Sequence, residues 1–199
     1  MKYAMEDALE FGTNRVFLNT GCHSRDLPRE EGWKRTADSY RALCDVAEKM
    51  DIHLVLEQLQ PYESNICHNI EQMKQIIQAV DSKALKICVD LTAMAVANET
   101  LDMYFETFGK QMIQLIHFSD SHHEVCGTGD LPLKEYIETL QKYDYDSYID
   151  FEINDEAHVL RVGAKVNGEY SVEVFKDTAR LRALETIEEL LWNTHGYIN

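Results

Sequence analysis

Along the chain, short apolar runs alternate with longer stretches in which apolar residues recur every three or four positions. Five such pairs follow one another: Val16–Thr20 with Lys34–Met50, Ile52–Gln58 with Asn65–Val80, Lys86–Leu91 with Asn98–Lys110, Met112–Phe118 with Leu131–Tyr143, and Ser147–Ile153 with Phe175–Asn193. Tyr40, Leu43, Ala47 and Met50 form one helical stripe. Ile66, Ile70, Met73, Ile77 and Val80 form a second, and Leu181, Leu184, Ile187 and Leu191 a third. Start signals accompany three helices: Asn69 with Gln72, Asn98 before Leu101, and Asp130 with Pro132 in the first turn. The short runs (LVLEQ, KICVDL, MIQLIHF, YIDFEI) are almost continuously apolar, as strands covered on both faces of a parallel sheet must be. The pattern predicts one α/β domain over residues 1–199 with about five parallel strands and flanking helices. One segment breaks it. Between His158 and Val174, Asn167-Gly168 separates two alternating runs, which predicts a β-hairpin inserted before the last helix.

Composition narrows the classes. The 199 residues are 45% hydrophobic and carry a net charge of −16, with no cluster of Lys or Arg to follow a phosphate backbone, so no nucleic-acid partner is expected. No apolar run is long enough to span a membrane, and MKYAMEDALEF lacks the basic-then-apolar order of a signal peptide. The five cysteines are scattered and never spaced as CxxC, which fits a reducing, cytoplasmic setting and argues against a disulfide framework.

Polar residues then stand out at the ends of four strands. Glu57 closes LVLE, Asp90 closes KICVD, His117 closes MIQLIH and Glu152 closes YIDFE. The carboxyl ends of parallel strands form the functional face of such folds, and charge there is costly to bury without a partner. A single strand-end carboxylate is as readily an ordinary loop residue; four consecutive strands ending this way point to a metal. Three carboxylates and an imidazole suit Mn²⁺, Mg²⁺ or Co²⁺, with Zn²⁺ also compatible. Around His117, the stretch IHFSDSHHEVCGTG adds lesser candidates. Asp120 can orient His117 or cap its loop, and His123 can extend the site while His122 reads as solvated. Cys126 reads as inert, and Gly127-Thr128-Gly129 is a weak phosphate-cradle signal. His23 and Arg25 read as turn residues.

Taken together, these stretches resemble the sugar phosphate isomerase/epimerase group of xylose-isomerase-like TIM barrels. Its members include ketose 3-epimerases, hydroxypyruvate isomerase, inosose dehydratase and, more distantly, endonuclease IV. The resemblance runs from about Trp33 to Glu152. LEQLQPYESN looks like the strand with the metal-binding Glu and a substrate-facing Glu six residues on, here Glu63; HFSDSHHEVCGTG looks like the His strand; DYDSYIDFEI looks like the closing strand. The resemblance implies that Glu57, Asp90, His117 and Glu152 hold a divalent ion and that Glu63, His123 and Trp33 meet a sugar or sugar phosphate. It further implies that Glu57 and Glu152 shuttle a proton on a hydroxy-ketone through an enediolate, Asp90 and His117 being ligands only.

Two positions depart from the family pattern. Where members usually carry a His three residues after the Asp ligand, this chain has Ala93, and where they often carry an Arg six residues after the His ligand, it has His123. Length departs as well. A complete (β/α)₈ barrel takes about 250 residues, and by the resemblance Val16–Thr20 takes the place of the fourth strand, with Met1–Gly12 the tail of the helix before it. The expected fold is therefore an incomplete (β/α) TIM-type barrel whose open strand edges favour a homo-oligomer. Besides a metal-dependent isomerase or epimerase, two readings stand: a catalytically degenerate relative serving as a binding or assembly module, and an endonuclease IV-like phosphodiesterase, which the acidic charge disfavours.

Overall fold

The computed structural model describes residues 1–24 and 26–153. The hairpin expected over His158–Val174, the helix expected over Phe175–Asn193, and Arg25 lie outside the described residues. Helix α1 (Lys2–Glu10) leads into β1 (Arg15–Asn19), α2 (Arg29–Lys49), β2 (His53–Glu57) and α3 (Ile70–Val80). Then come β3 (Leu85–Asp90), α4 (Leu91–Val96), α5 (Leu101–Phe108), β4 (Ile113–His117), α6 (Leu133–Lys142) and β5 (Tyr148–Asp150). All five predicted strands form, and they lie in sequence order in one parallel sheet, β1-β2-β3-β4-β5. Among the described residues no helix is long and apolar enough to cross a membrane.

Backbone packing separates residues 1–116 from those that follow, the division falling inside β4. In the first unit the register is parallel, with Asn19 opposite Glu57 and Glu57 opposite Cys88. Leu54, Leu56, Leu85 and Ile87 are fully buried, as are Met73 and Ile76 of α3, while α2 contributes Cys44 and Ala47. The predicted stripes are buried at Tyr40, Ala47, Ile66, Ile70, Met73 and Val80, and at two positions the buried residue is the next or the previous one. Cys44 and Ile76 are buried, and their neighbours Leu43 and Ile77 sit at the rim. The sheet also curls. In a flat sheet β1 and β4 would lie about 14 Å apart, yet Arg15 Nε donates to Gln114 Oε1 at 3.0 Å.

Boundaries moved where polar side chains found other work. α2 starts at Arg29 rather than Lys34, its extra turn carrying Glu30 and Glu31, which suit the positive end of a helix but leave no apolar period. α3 starts at Ile70 rather than Asn65, because Asn65 instead exchanges hydrogen bonds with the backbone of His23. Asn69 caps α3 as expected, accepting the Gln72 N–H at 3.0 Å, and the Glu99 carboxylate takes both the Ile70 N–H and the Tyr104 hydroxyl. Asn98 does not cap α5. It sits in the left-handed region at φ 56° after the unpredicted α4, and Thr100 is the cap. Nor does Asp130 cap α6, which follows Pro132 without a side-chain cap.

The second unit begins at His117. The Phe118 N–H donates to the Asp150 carbonyl at 2.7 Å, joining β4 to β5, and the Phe118 and Phe151 rings meet edge-on at 6.4 Å. α6 buries Leu133, Tyr136, Ile137 and Leu140. Between them a loop is organised by one carboxylate. Asp120 is buried and accepts the N–H groups of Ser121 at 2.8 Å, Gly127 at 2.8 Å and Leu131 at 3.0 Å. A Cβ at Gly129 would collide with Asp120 Oδ1 and Ser121 Oγ, and Gly127 has φ 85°. The two glycines therefore let the backbone close around Asp120.

Two stability effects are expected. Asn69→Ala removes the α3 cap and should lower unfolding free energy by about 1 kcal/mol, read as a shift in the urea midpoint. Burial alone would raise the Asp120 pKa, but the N–H groups of Leu131, Ser121, Gly129 and Gly127 outweigh it and hold the carboxyl below its ordinary range. With the folded value depressed, its stabilisation is complete above the unfolded pKa and lost as pH falls through the folded one. Asp120→Asn should accordingly cost about 1–2 kcal/mol at neutral pH, and the gap to the parent should shrink below about pH 4. Urea melts at pH 7 and pH 3 check this, and a gap of the same size at both would contradict it.

Candidate metal centre

Glu57 and Asp90 end adjacent strands of the first unit, β2 and β3, and both are almost wholly buried, at 3% and 2% exposure. Apolar strands tolerate charge at their tips only if polar partners or an ion offset the lost hydration. For Asp90 one partner is α4: the carboxylate accepts the Ala93 N–H and starts that helix. Ala93, where the resembling family usually has a His, is thus a buried first-turn residue of α4. Glu63 is half-buried and its carboxylate accepts the Gln60 N–H at 3.0 Å, within its own turn. Trp33 is half-buried in the first turns of α2.

In the second unit, His117 Nδ1 lies 2.9 Å from Glu152 Oε2, and His123 Nε2 lies 3.9 Å from the same oxygen. His117 and His123 are buried while the Glu152 side chain is 36% exposed. His122 and His123 both adopt left-handed backbone, at φ 62° and 57°, an uncommon pair for non-glycine residues. That pairing turns His122 out to solvent and His123 inward. Burial, then the Asp120 charge, pushes the Cys126 thiol up to about 12, so it stays protonated and unreactive at neutral pH.

Glu57 and Asp90 of the first unit and His117 and Glu152 of the second each offer a ligand atom. The donor chemistry fits a hard or borderline divalent ion: three carboxylates and one imidazole. Cys88 shares a face of β3 with Asp90 and stands in register with Glu57 of β2, a placement that scattered cysteine spacing does not reveal.

Comparison with known proteins follows the same line. Fructoselysine 3-epimerase of Escherichia coli O157:H7 is 30% identical over 158 residues, covering 77% of this chain and 57% of its own length. D-psicose 3-epimerase of Ruminiclostridium cellulolyticum is 22% identical over 155 residues, with 78% and 50% covered. The chain therefore spans about half the length of these curated relatives. Among solved structures, apo 3-keto-D-glucoside 4-epimerase from E. coli superposes with a TM-score of 0.74 at 17% identity, over 96% of this chain and 68% of that one. The IolI protein with a bound zinc atom gives 0.70 at 16% identity, over 96% and 68%. A family model for the xylose isomerase-like TIM barrel matches residues 1–183, and the chain belongs to that family.

Proposed function

We propose that this chain is a divalent-metal-dependent isomerase or epimerase of a sugar, sugar phosphate or related hydroxy-ketone, working in the cytoplasm. The observation that carries the reading is the pair of buried carboxylates, Glu57 and Asp90, ending adjacent strands of the first unit in a chain of the xylose isomerase-like family, with His117 Nδ1 2.9 Å from Glu152 Oε2 in the second unit in support. Relatives named for 3-epimerisation of fructoselysine and D-psicose support a ketose as substrate. A divalent ion held by the four residues supplies Lewis-acid polarisation of a carbonyl and favours loss of the adjacent proton.

The chain's own residues would then divide the work. Glu57 and Glu152 carry the proton, one removing it and the other returning it to the opposite face or to the neighbouring carbon. Their surroundings differ in a way that suits two roles, Glu57 buried at 3% exposure and Glu152 at 36% on its side chain. Asp90 and His117 serve as ligands, Asp90 steadied by the Ala93 N–H, and Asp120 fixes the loop that follows His117. Glu63, His123 and Trp33 contact substrate, with His123 standing where the family often has an Arg. An imidazole is shorter and offers fewer donors, so it grips a substrate oxygen differently from a guanidinium fork. Tyr3 of α1 is 79% exposed and Phe11, just past its end, 87%, apolar exposure consistent with a homo-oligomer.

Proton exchange from a panel of ketoses into deuterated water, with elemental analysis of bound metal, tests the reading. Glu152→Gln should lower exchange at least about 10²-fold while retaining more metal than His117→Ala. A protein that binds no divalent ion and exchanges no proton from any ketose would end it. Light scattering on dilute protein should report a dimer or larger, and a stable monomer would remove the oligomer from the proposal.

A further inference from the structure

We infer that Arg15, His53 and Lys86 form a binding site for a small divalent oxyanion of the phosphate type, at the end of the first unit's sheet away from Glu57 and Asp90. The three residues come from β1, β2 and β3. Arg15 and His53 are register partners, and Lys86 stands opposite Val55, which leaves β2 on the same side as His53. All three are half-buried. Glu57 lies on that face too, but about 13 Å further along β2. The site is therefore separate from the carboxylates and goes beyond the isomerase reading without depending on it.

Clustered cations stand out in a chain of net charge −16, and they repel one another unless an anion lies among them. Among the described residues neither Lys86 nor His53 forms an ion pair. His53 Nδ1 is buried without a hydrogen-bond partner among them, a need that a ligand oxygen satisfies. Arg15 is held in place: its Nε donates to Gln114 Oε1 and its Nη1 to Asn14 Oδ1, both at 3.0 Å. A guanidinium, an ammonium and an imidazole together match the oxygens of a tetrahedral dianion. Burial first, then the Lys86 and Arg15 charges, hold the His53 pKa below the ordinary imidazole range, with Asp51 in the turn before β2 opposing them. An anion reverses that balance, so His53 takes up a proton on binding and affinity rises as pH falls.

Calorimetric titration of the full chain with inorganic phosphate, glycerol 3-phosphate and sulfate is the test. Inorganic phosphate should fill one saturable site. An ester that binds as tightly or more tightly names a phosphorylated metabolite as the source, and weaker ester binding names free phosphate. Lys86→Gln and His53→Gln should each weaken phosphate binding at least about tenfold. Lys49→Gln, the same charge change on α2, should leave it unchanged. Sulfate keeps its charge across the range, so it should bind at least about threefold more tightly near pH 5.5 than near pH 8, with proton uptake. In the parent protein, phosphate should move the His53 ring signals in NMR spectra and raise its pKa, which decides the matter even if the variants fail to fold. No saturable binding, full affinity in both variants, or His53 signals unmoved at saturation would overturn the inference and leave the metal reading standing.

Discussion

Carboxylates at the tips of buried strands are the constraint around which the rest is arranged. β2 and β3 are covered on both faces, as parallel strands flanked by helices must be, and so every side chain at their ends is drawn out of water with them. Charge in such a position is unfavourable by several kcal/mol unless hydrogen bonds or an ion offset it. Asp90 shows one solution: its carboxylate begins a helix, and the six-residue α4 exists where the sequence pattern offers no separate element. An ion is the other solution, since a divalent cation turns repulsion among carboxylates into coordination.

The loop after β4 applies the same chemistry to backbone. Asp120 gathers N–H groups from Ser121, Gly127 and Leu131, which no strand or helix would otherwise satisfy. Gly127 and Gly129 serve this folding-in of the chain, one by its left-handed backbone and the other by leaving space beside the carboxylate. The glycines that resembled a phosphate cradle in sequence are thus occupied by a side chain of the protein itself. The same loop holds His122 and His123 in left-handed backbone, which turns His123 toward Glu152.

Departures from the family pattern fall beside this framework. Ala93 lies on the helix that Asp90 caps, and His123 lies in the loop that Asp120 holds. Both positions sit on elements whose geometry is set by a carboxylate–backbone contact.

The sequence by itself determined the order of strands and helices, the polar residues that end β2, β3 and β4, and the Asn69 cap, because each is a local signal: period, terminus, or a side chain reaching its own backbone. Glu152, expected to close the last strand, lies two residues beyond the end of β5. The sequence did not determine where α2 and α3 begin, that α4 exists, or that Thr100 rather than Asn98 caps α5. The start of α3 depends on partners distant in sequence, Asn65 with His23 and Ile70 with Glu99. Cys88 shows the difference most plainly. Its type and its place on a strand are readable, but only strand register sets it opposite Glu57. Register and curvature follow from the packing of the whole sheet, and no single stretch of sequence carries them.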